Sequence, residues 1–277
     1  MNLPFRVDLS DKIAVITAAG GVLMSEFAKA IADCGARVAL LGPHMSSLQP
    51  VADEIGGNAF PIEADCTSKE SVSAARELIH EKWGSVNFLI NGAGGNNPKA
   101  TTGIENMTQD TPEDAKTFFD IDESGFRFVL DLNITTAFIT SQVFAEDMVK
   151  TGGNIINISS MNAFRPLTKI PAYSAAKAGI SNLTQWMAVH FAPCGIRVNA
   201  IAPGFFVSKQ NQALLFNPDG TPTARTGKIL AATPMNRFGK VSDLIGTLLW
   251  LSDDNASGFV TGTVIPVDGG FAAYSGV

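Results

Sequence analysis

Short apolar runs and longer stretches of periodic apolar residues alternate along the chain. The short runs are rich in β-branched residues, end in turn signals and are predicted to be strands: IAVIT (13–17), RVALL (37–41), AFPIE (59–63), VNFLI (86–90), NIINIS (154–159), IRVNAI (196–201) and TVIPV (263–267). Helical periodicity marks MSEFAKAIADC, KESVSAARELIHEKW, the segment ending ITSQVFAEDMV, YSAAKAGISNLTQWMAVHF and SDLIGTLLWL. This pattern predicts an α/β fold: a single-domain doubly wound parallel sheet, or Rossmann fold, with helices on both faces over residues 1–277.

Two segments interrupt this alternation. Residues 94–125 carry many polar and acidic side chains without a period, and residues 205–238 are similarly irregular. Both follow predicted strands at their carboxyl ends, where open α/β sheets bind ligands. Loops of this length in a compact domain are commonly functional, so both are predicted to be active-site loops or lid segments.

Composition narrows the range of partners. Of the 277 residues, 45% are hydrophobic and 17% charged, which excludes a disordered chain. The net charge of −6 and the absence of a basic run argue against nucleic acid or an anionic membrane as partner, so a small molecule is expected. The N-terminus MNLPFRVDLSDK does not resemble a signal peptide, and no apolar run approaches the roughly 18 residues of a membrane span.

The cysteines and histidines indicate neither a disulfide framework nor a metal site. The chain has three cysteines, Cys34, Cys66 and Cys194, and no CxxC motif. An odd number of cysteines without this motif favours a protein of the reducing cytoplasm. The three histidines are too scattered to suggest a ligand pair, so no metal is expected.

A turn of small residues follows the first predicted strand and leads into a helix. It begins at Thr17 and continues through Gly20, Gly21 and Val22. Such a turn allows backbone N–H groups at a helix N-terminus to meet a pyrophosphate, although a tight turn without a ligand explains the same residues equally well.

Tyr173 and Lys177 form the most informative pair. Their i, i+4 spacing at the start of a predicted helix places the phenol and the ammonium group on one face. A free phenol titrates near about 10, and the nearby cation is expected to lower its pKa and make Tyr173 a better acid and base. Ser160 ends a strand upstream, and Asn133 lies in the helical segment LNITTAF.

These residues, together with Asn91-Gly92-Ala93-Gly94 and Pro203-Gly204, resemble the motif set of the short-chain dehydrogenases/reductases over essentially the whole chain. Within that family, the segments NGAGGNNPKATT, ISSMNAFRPLTKIPAYSAAKA and TGTVIPVDGGFAAYSGV are most similar to D-mannonate oxidoreductases, also called fructuronate reductases. Gluconate 5-dehydrogenases are close relatives.

The resemblance implies a role for each matched residue. Tyr173 would exchange a proton with the substrate oxygen, Ser160 would hold that oxygen, and Lys177 would hold the nicotinamide ribose. Asn133 would support a water chain to Lys177, which completes the implied catalytic set. The implied cofactor-binding set, for NAD(H) or NADP(H), also includes Thr17, Gly20, Gly21, Val22, Asp65, Cys66, Asn91, Ala93, Gly94, Pro203, Gly204 and Ser208.

The chain departs from the family pattern at two places. The first loop usually reads TGxxxGxG, but Ala18 and Met24 occupy the first and last glycine positions, and Met24 would put a long side chain where helix and cofactor approach. At the end of the second strand, an acid would indicate NAD and an arginine NADP. Gly42-Pro43-His44 supplies neither, and NAD(H) is favoured because no arginine is present to take a 2′-phosphate.

The implied activity is the interconversion of a keto-sugar acid and its hydroxy acid, with D-fructuronate and D-mannonate favoured. Gluconate 5-dehydrogenase or another polyol dehydrogenase is an alternative, and so is a nucleotide-binding regulatory protein that has lost turnover. A substrate carboxylate needs a cation or several donors, so Lys99, Asn162 and Arg165 are predicted to bind substrate. The apolar C-terminus VIPVDGGFAAYSGV resembles the subunit-contact region of related tetramers, which predicts a homotetramer.

Overall fold

A computed structural model describes residues 7–207 and 212–276 of the chain. Within these residues, seven parallel strands form one sheet in the order β3-β2-β1-β4-β5-β6-β7. The strands are β1 (Ile13–Thr17), β2 (Arg37–Gly42), β3 (Ala59–Glu63), β4 (Phe88–Asn91), β5 (Gly153–Ile158), β6 (Ile196–Pro203) and β7 (Val264–Val267). The doubly wound α/β fold predicted from the sequence is therefore confirmed.

Helices cover both faces of the sheet. They are α1 (Val22–Asp33), α2 (Met45–Ile55), α3 (Lys69–Trp83), α4 (Glu123–Leu130), α5 (Thr136–Met148), α6 (Pro171–Phe191), α7 (Gln212–Leu215), α8 (Ala224–Ala231), α9 (Ser242–Ser252) and α10 (Asp254–Ser257). Alternate residues of each buried strand point to opposite cores: Ile16 packs with Phe27 of α1 and Leu248 of α9, whereas Val15 packs with Ile79 of α3 and Phe144 of α5. Burial on both faces explains why these strands are continuously apolar.

Most predicted elements agree with the structure to within two residues at each end. The helices that were not predicted are α2 and the shorter α4, α7, α8 and α10, and α2 is the longest of them. Pro50 lies inside this helix and cannot donate the intrahelical hydrogen bond at its position, so the segment does not look helical from its sequence.

The strand order reverses direction between β1 and β4. From β1 the chain builds outward to β2 and β3, and then crosses back to place β4 on the other side of β1. In open α/β sheets the crevice at the carboxyl ends of such strands is the usual ligand site.

The two irregular segments lie beside this edge and contain local structure. Residues 94–125 hold short 3₁₀ turns at Pro98–Ala100 and Phe118–Asp120, and residues 205–238 include α7 and α8. Two hydrogen bonds of 3.0 and 2.9 Å join Lys228 of α8 to the carboxylate of Glu105, so the segments contact each other.

The helical stretch Glu123–Met148 is long enough, and apolar enough on average, to pass a simple test for a membrane span. Half of its most apolar window is buried inside the protein, as the core helix of a globular domain would be. The expectation that no apolar stretch approaches this length is therefore too strict, because it considered uninterrupted apolar runs only.

Candidate functional site

A cavity of about 620 Å³ opens at the carboxyl edge of the sheet. It runs from the turn after β1 to the first turn of α6, and the ends of β2, β4, β5 and β6 contribute to its wall. Its lining contains the following predicted site residues: Gly20, Gly21, Val22, Gly94, Ser160, Tyr173, Lys177, Pro203 and Gly204. The structure thus brings together residues that are up to 184 positions apart (20 to 204).

The turn after β1 is shaped by close approaches. A Cβ at Gly20 would lie 2.5 Å from Ser47 Oγ of α2, and one at Gly21 would lie 3.1 Å from the Ala18 carbonyl oxygen. Gly21 is the N-cap of α1 and has no side chain to satisfy the first N–H groups of that helix. The N-terminus of α1 can therefore donate hydrogen bonds to an anion in the cavity.

Ala18 and Met24, which replace family glycines, are accommodated differently. Ala18 has a φ of +53°, a left-handed conformation that glycine adopts at lower cost. Met24 turns into the core and is only 4% exposed, and its sulfur occupies the space that a Cβ at Gly92 would need. Met24 still contributes to the cavity wall, but most of its side chain packs in the hydrophobic core.

Thr17 and Asn91 act on the backbone around the cavity and are not among its lining residues. Thr17 Oγ1 accepts hydrogen bonds from the N–H groups of Gly92 (2.9 Å) and Ala93 (3.1 Å). Asn91 Nδ2 donates to Asn157 Oδ1 at 2.8 Å and to Ser141 Oγ at 2.9 Å. The side chains of Thr17 and Asn91 therefore hold the end of β4 in place. The sequence resemblance instead implies that both residues contact the cofactor.

Asp65 and Cys66 follow β3 and also lie outside the cavity lining. Asp65 Oδ1 accepts hydrogen bonds from the hydroxyl (2.7 Å) and the N–H (2.8 Å) of Thr67, and these bonds lower the carboxyl pKa. Cys66 is buried, and the loss of solvation raises its thiol pKa to about 12. Cys66 is thus an un-ionised core thiol.

Helix α6 presents Tyr173 and Lys177 to the cavity. Pro171 opens the helix, which puts Tyr173 in the first turn and Lys177 one turn later. Lys177 Nζ donates to the Ile158 carbonyl at the end of β5 (2.8 Å) and lies 5.6 Å from the centre of the Tyr173 ring. Ser160, two residues beyond β5, hydrogen-bonds to the phenol.

Burial shifts both titrating groups toward their neutral forms. It lowers the pKa of Lys177 to about 8. It raises the pKa of Tyr173, and the hydrogen bond from Ser160 only partly opposes this effect. The pKa of Tyr173 is therefore raised and not lowered as expected beside Lys177, because desolvation of the phenol outweighs the hydrogen bond from Ser160.

Asn133 lies in a π-helical turn, Asp131–Thr135, between α4 and α5. Its Nδ2 donates to the carbonyls of Gly95 and Val129, both at 2.8 Å, and its Oδ1 accepts from the Gly95 N–H at 3.3 Å. A Cβ at Gly94 would lie 2.6 Å from Asn133 Oδ1 and 3.0 Å from Lys177 Nζ. Asn133 and Lys177 therefore approach the same glycine, and π-turns of this kind are frequent at functional sites.

The end of β6 closes the other side of the cavity. A Cβ at Gly204 would lie 2.6 Å from Asp268 Cα, so this position requires glycine for the close approach of two backbones. Phe205 and Phe206 follow and line the cavity. Ser208, predicted to contact the cofactor, lies outside the described residues.

The three predicted substrate-binding residues do not line this cavity. Lys99 is exposed in the 3₁₀ turn Pro98–Ala100. Arg165 is exposed, and its Nε donates to the Ala272 carbonyl at 3.2 Å. Asn162 is buried beside a neighbouring cleft, and its Oδ1 accepts from the Leu167 N–H at 3.0 Å.

Several lining residues were not predicted from the sequence. Pro43 and Ser47 belong to the segment around the unpredicted helix α2, and Phe205 and Phe206 begin an irregular segment. The one available signal was position, because all four follow strands at their carboxyl ends. The other lining residues outside the predicted set of site residues are Ala18, Leu23, Met24, Gly42, Gly92, Gly95, Ile158 and Ser159.

The buried ammonium group of Lys177 gives a test of whether a nucleotide cofactor fits. An ammonium carries three N–H donors, and within the described residues only the Ile158 carbonyl accepts one of them. A ribose provides hydroxyl acceptors for the others, and the N-terminus of α1 suits a pyrophosphate. The cavity is thus suited to a dinucleotide, with Lys177 and the turn at Gly20 and Gly21 as its binding groups. No cluster of three or more His, Cys, Asp or Glu side chains that could hold a metal occurs in the described residues.

Comparison with known proteins identifies the class. A family model described as Enoyl-(Acyl carrier protein) reductase matches residues 24–272. The chain belongs to the short-chain dehydrogenase/reductase family, and the resemblance noted from its motifs is confirmed. It is an NAD(P)-dependent oxidoreductase that acts on CH–OH groups.

Individual relatives extend over the full length. An uncharacterised oxidoreductase of Haemophilus influenzae is 54% identical, with 100% of this chain and 99% of the relative covered. A crystal structure from Haemophilus influenzae, described as a candidate D-mannonate oxidoreductase with bound NAD, is 53% identical, covers 100% of both chains and superposes with a TM-score of 0.95. The 2-dehydro-3-deoxy-D-gluconate 5-dehydrogenase of Escherichia coli is 31% identical over 96% of this chain and 97% of its own.

Proposed function

We propose that the protein interconverts a keto-sugar acid and the corresponding hydroxy acid, with D-fructuronate and D-mannonate as the favoured pair. The observation that carries this proposal is the full-length similarity, at 53% identity, to the NAD-bound structure described as a candidate D-mannonate oxidoreductase. The assembled set of Asn133, Ser160, Tyr173 and Lys177 supports turnover and argues against a regulatory protein that only binds nucleotide.

The side chains provide the proton chemistry. In the reductive direction Tyr173 donates its phenol proton to the substrate carbonyl oxygen, and in oxidation it removes the proton from the alcohol. The raised pKa of Tyr173 keeps the phenol protonated at neutral pH, which suits the reductive step. Ser160 hydrogen-bonds to the same oxygen. Lys177 would hold the cofactor ribose, and Asn133 positions the turn at Gly95 and would support proton exchange toward Lys177. The cofactor supplies or accepts the hydride.

We favour NAD(H) as the cofactor. Gly42 and Pro43 line the cavity at the end of β2, and no arginine is present among the lining residues that the structure describes. A 2′-phosphate therefore meets no guanidinium group in the described wall of the cavity. Residues 94–125 and 205–238 act as the lid segments in this proposal. The absence of a disulfide among the three free cysteines suits a cytoplasmic enzyme.

Arg165 is the proposed anchor for the substrate carboxylate. Only its Nε has a hydrogen-bond partner in the described structure, so both terminal amino groups can form a bidentate pair with a carboxylate. Arg165 lies in the loop between Ser160 and Tyr173, so it belongs to the same segment of the chain as these reacting groups. Lys99 and Asn162 are secondary candidates on adjacent loops.

A substrate screen tests the proposed function. D-fructuronate, 5-ketogluconate and a neutral ketose are each reduced with NADH and with NADPH, and mannonate and gluconate are oxidised side by side. We expect the highest kcat/KM for D-fructuronate with NADH. A preference for 5-ketogluconate would assign the alternative, a gluconate 5-dehydrogenase. A preference for the neutral ketose would reject the sugar-acid proposal.

A further inference from the structure

The chain beyond β7 forms a compact turn, residues 268–274, which we call the C-terminal bridge. The carboxylate of Asp268 accepts hydrogen bonds from the N–H groups of Gly270 (2.9 Å) and Ala272 (2.7 Å). Gly269 and Gly270 adopt φ values of +65° and +90°, which allow the chain to reverse there. The Tyr274 N–H donates to the Gly270 carbonyl at 3.1 Å and completes the turn. The bridge is therefore held by its own hydrogen bonds.

The bridge crosses the carboxyl edge of the sheet. It starts at the end of β7, where the Gly204 N–H donates to the Val267 carbonyl at 3.0 Å, and so lies against the end of β6. It then reaches the loop after β5, where Arg165 Nε donates to the Ala272 carbonyl at 3.2 Å. Because β5, β6 and β7 are adjacent in the sheet, these contacts join three successive strand ends. All three lie on the side of the sheet where Ser160 and Tyr173 are found.

One side chain links the bridge to the cavity wall. The Phe271 ring packs edge-to-face against Phe205, with centroids 5.2 Å apart and an interplanar angle of 78°. Phe205 lines the cavity that contains Tyr173, and it also lines an adjoining cavity of about 450 Å³ that the bridge residues Asp268, Gly269 and Gly270 border. Phe205 thus lines both open spaces, and Phe271 packs against its ring.

We propose that the C-terminal bridge is the outer wall of the reaction cavity, and that Phe271 is a positioning residue that holds Phe205 in place. Phe271 holds Phe205, which follows β6, through the ring contact. Ala272 holds the loop after β5 through its hydrogen bond with Arg165. The bridge thereby limits the access of water to the reactive end of a bound nicotinamide and restricts the position of the substrate. The statement about substrate rests on the proposed function, whereas the statement about water access does not.

The test compares Phe271→Ala and Phe271→Leu with Phe271→Tyr, which retains an aromatic ring. Phe259→Ala is the control, because it removes the same ring at a fully exposed position outside both lid segments and outside the cavity lining. Acrylamide quenching of the fluorescence of bound NADH measures water access at the nicotinamide without any substrate. We expect the quenching constant to rise in Phe271→Ala and Phe271→Leu, and to match the parent value in Phe271→Tyr and Phe259→Ala. Phe271→Leu keeps most of the apolar volume, so it decides the result if the alanine variant does not fold.

Steady-state kinetics with the best ketone substrate gives the second readout. Loss of the ring contact should raise KM by about fivefold to tenfold, while kcat and the Kd for NADH change by less than about twofold. Parent-like quenching in Phe271→Leu would overturn the inference, and so would a Kd for NADH that weakens as much as KM. If no keto-sugar acid is reduced, the proposed function fails, but the quenching comparison still decides whether the bridge shields the nicotinamide.

Discussion

Tyr173 and Lys177 share one face of α6, and burial moves the pKa of each toward the value that favours its neutral form. For Tyr173 this keeps a proton on the phenol, as a general acid requires at neutral pH. For Lys177 it places the charge transition near pH 8, within the range of ordinary assays. The two groups therefore have different pH dependences, although they lie one helical turn apart.

Replacing the phenol tests its role as proton donor. Because a positioned acid or base contributes about 10²- to 10⁴-fold to the rate, Tyr173→Phe should lower kcat by that order. The Kd for NADH, measured by fluorescence titration, should remain nearly unchanged. A variant that retains most of the parent kcat would remove Tyr173 from the mechanism.

Lys177 should make stability depend on pH in alkaline solution without any cofactor. The lysine pKa is about 8 in the folded protein and 10.5 as its reference value, so between these values the unfolded chain binds more protons. The free energy of unfolding of the parent should therefore rise with pH, relative to Lys177→Met, by up to about 1.4 kcal/mol per pH unit. Below pH 8 both states are protonated, and the difference between parent and variant should be constant. Urea midpoints from pH 6 to 10 measure this, and a parallel pH dependence would contradict it.

Ala18 offers a stability test within the turn after β1. Its φ of +53° is strained for alanine, whereas the flexibility that glycine adds to the unfolded chain offsets part of the relief. Ala18→Gly should raise the free energy of unfolding by about 0.5–1 kcal/mol. Ala19→Gly is the control, because Ala19 is buried and has no positive φ, and it should be destabilising. Equal losses in both variants would show that Ala18 is not strained.

At the scale of elements, a buried carboxylate ties α3 to α5. The Asp147 side chain is 2% exposed and accepts hydrogen bonds from Arg76 Nε (2.8 Å), His80 Nε2 (2.6 Å) and the Val86 N–H (3.0 Å). Burial opposes ionisation of Asp147, but the hydrogen bonds outweigh it and hold the carboxyl pKa below its usual value. This set of hydrogen bonds around Asp147, which we call the Asp147 clamp, joins α3 and α5 to the chain that enters β4.

Neutralising this carboxylate should destabilise the fold. Asp147→Asn leaves Arg76 and His80 with a weaker acceptor, and the free energy of unfolding should fall by about 2–4 kcal/mol. The neighbouring Glu146 is mostly exposed and also pairs with Arg76, so Glu146→Gln should cost less than about 0.5 kcal/mol. Because the Asp147 pKa is depressed, its contribution is present above the unfolded pKa and is lost as the pH falls through the folded value. Denaturant titrations near pH 7 and below pH 4 measure both effects, and equal costs for the two variants would contradict the clamp.

The elements differ in how far the sequence reveals them. The strands were predictable because both faces of the sheet are buried, which leaves continuous apolar runs. The side chains on α6 were predictable because helical spacing fixes that Tyr173 and Lys177 share a face. The Asp147 clamp was not predictable, because Arg76 and Asp147 are 71 positions apart and no periodic pattern links them. Lys99 and Arg165 lie on loops, where spacing does not set side-chain direction, so the sequence could not predict that they lie outside the cavity lining.

The molecule as a whole leaves large apolar side chains in water. On α6, Trp186 is 60% and Val189 79% exposed, and on the helical stretch Glu123–Met148 that packs beside it Phe128 and Phe138 are each about half exposed. Four large apolar side chains exposed on neighbouring helices favour a partner on this face. The subunit contact predicted for the C-terminus stays a prediction; within the chain, its residues Phe271 and Ala272 contact Phe205 and Arg165.

We therefore expect a homotetramer in which α6 lies at a subunit contact. Light scattering should give about four times the chain mass of 29.2 kDa at working concentration. Replacing both Trp186 and Val189 by glutamate would bury charges without partners at such a contact and should yield a smaller species that keeps the parent circular dichroism. Leu78→Glu is the control, because Leu78 is about half exposed on a different helix, α3, and this variant should remain tetrameric. A parent that scatters as a monomer would contradict the assembly, and a double variant that stays tetrameric would move the contact away from α6 to another face, with β7 as the next to test.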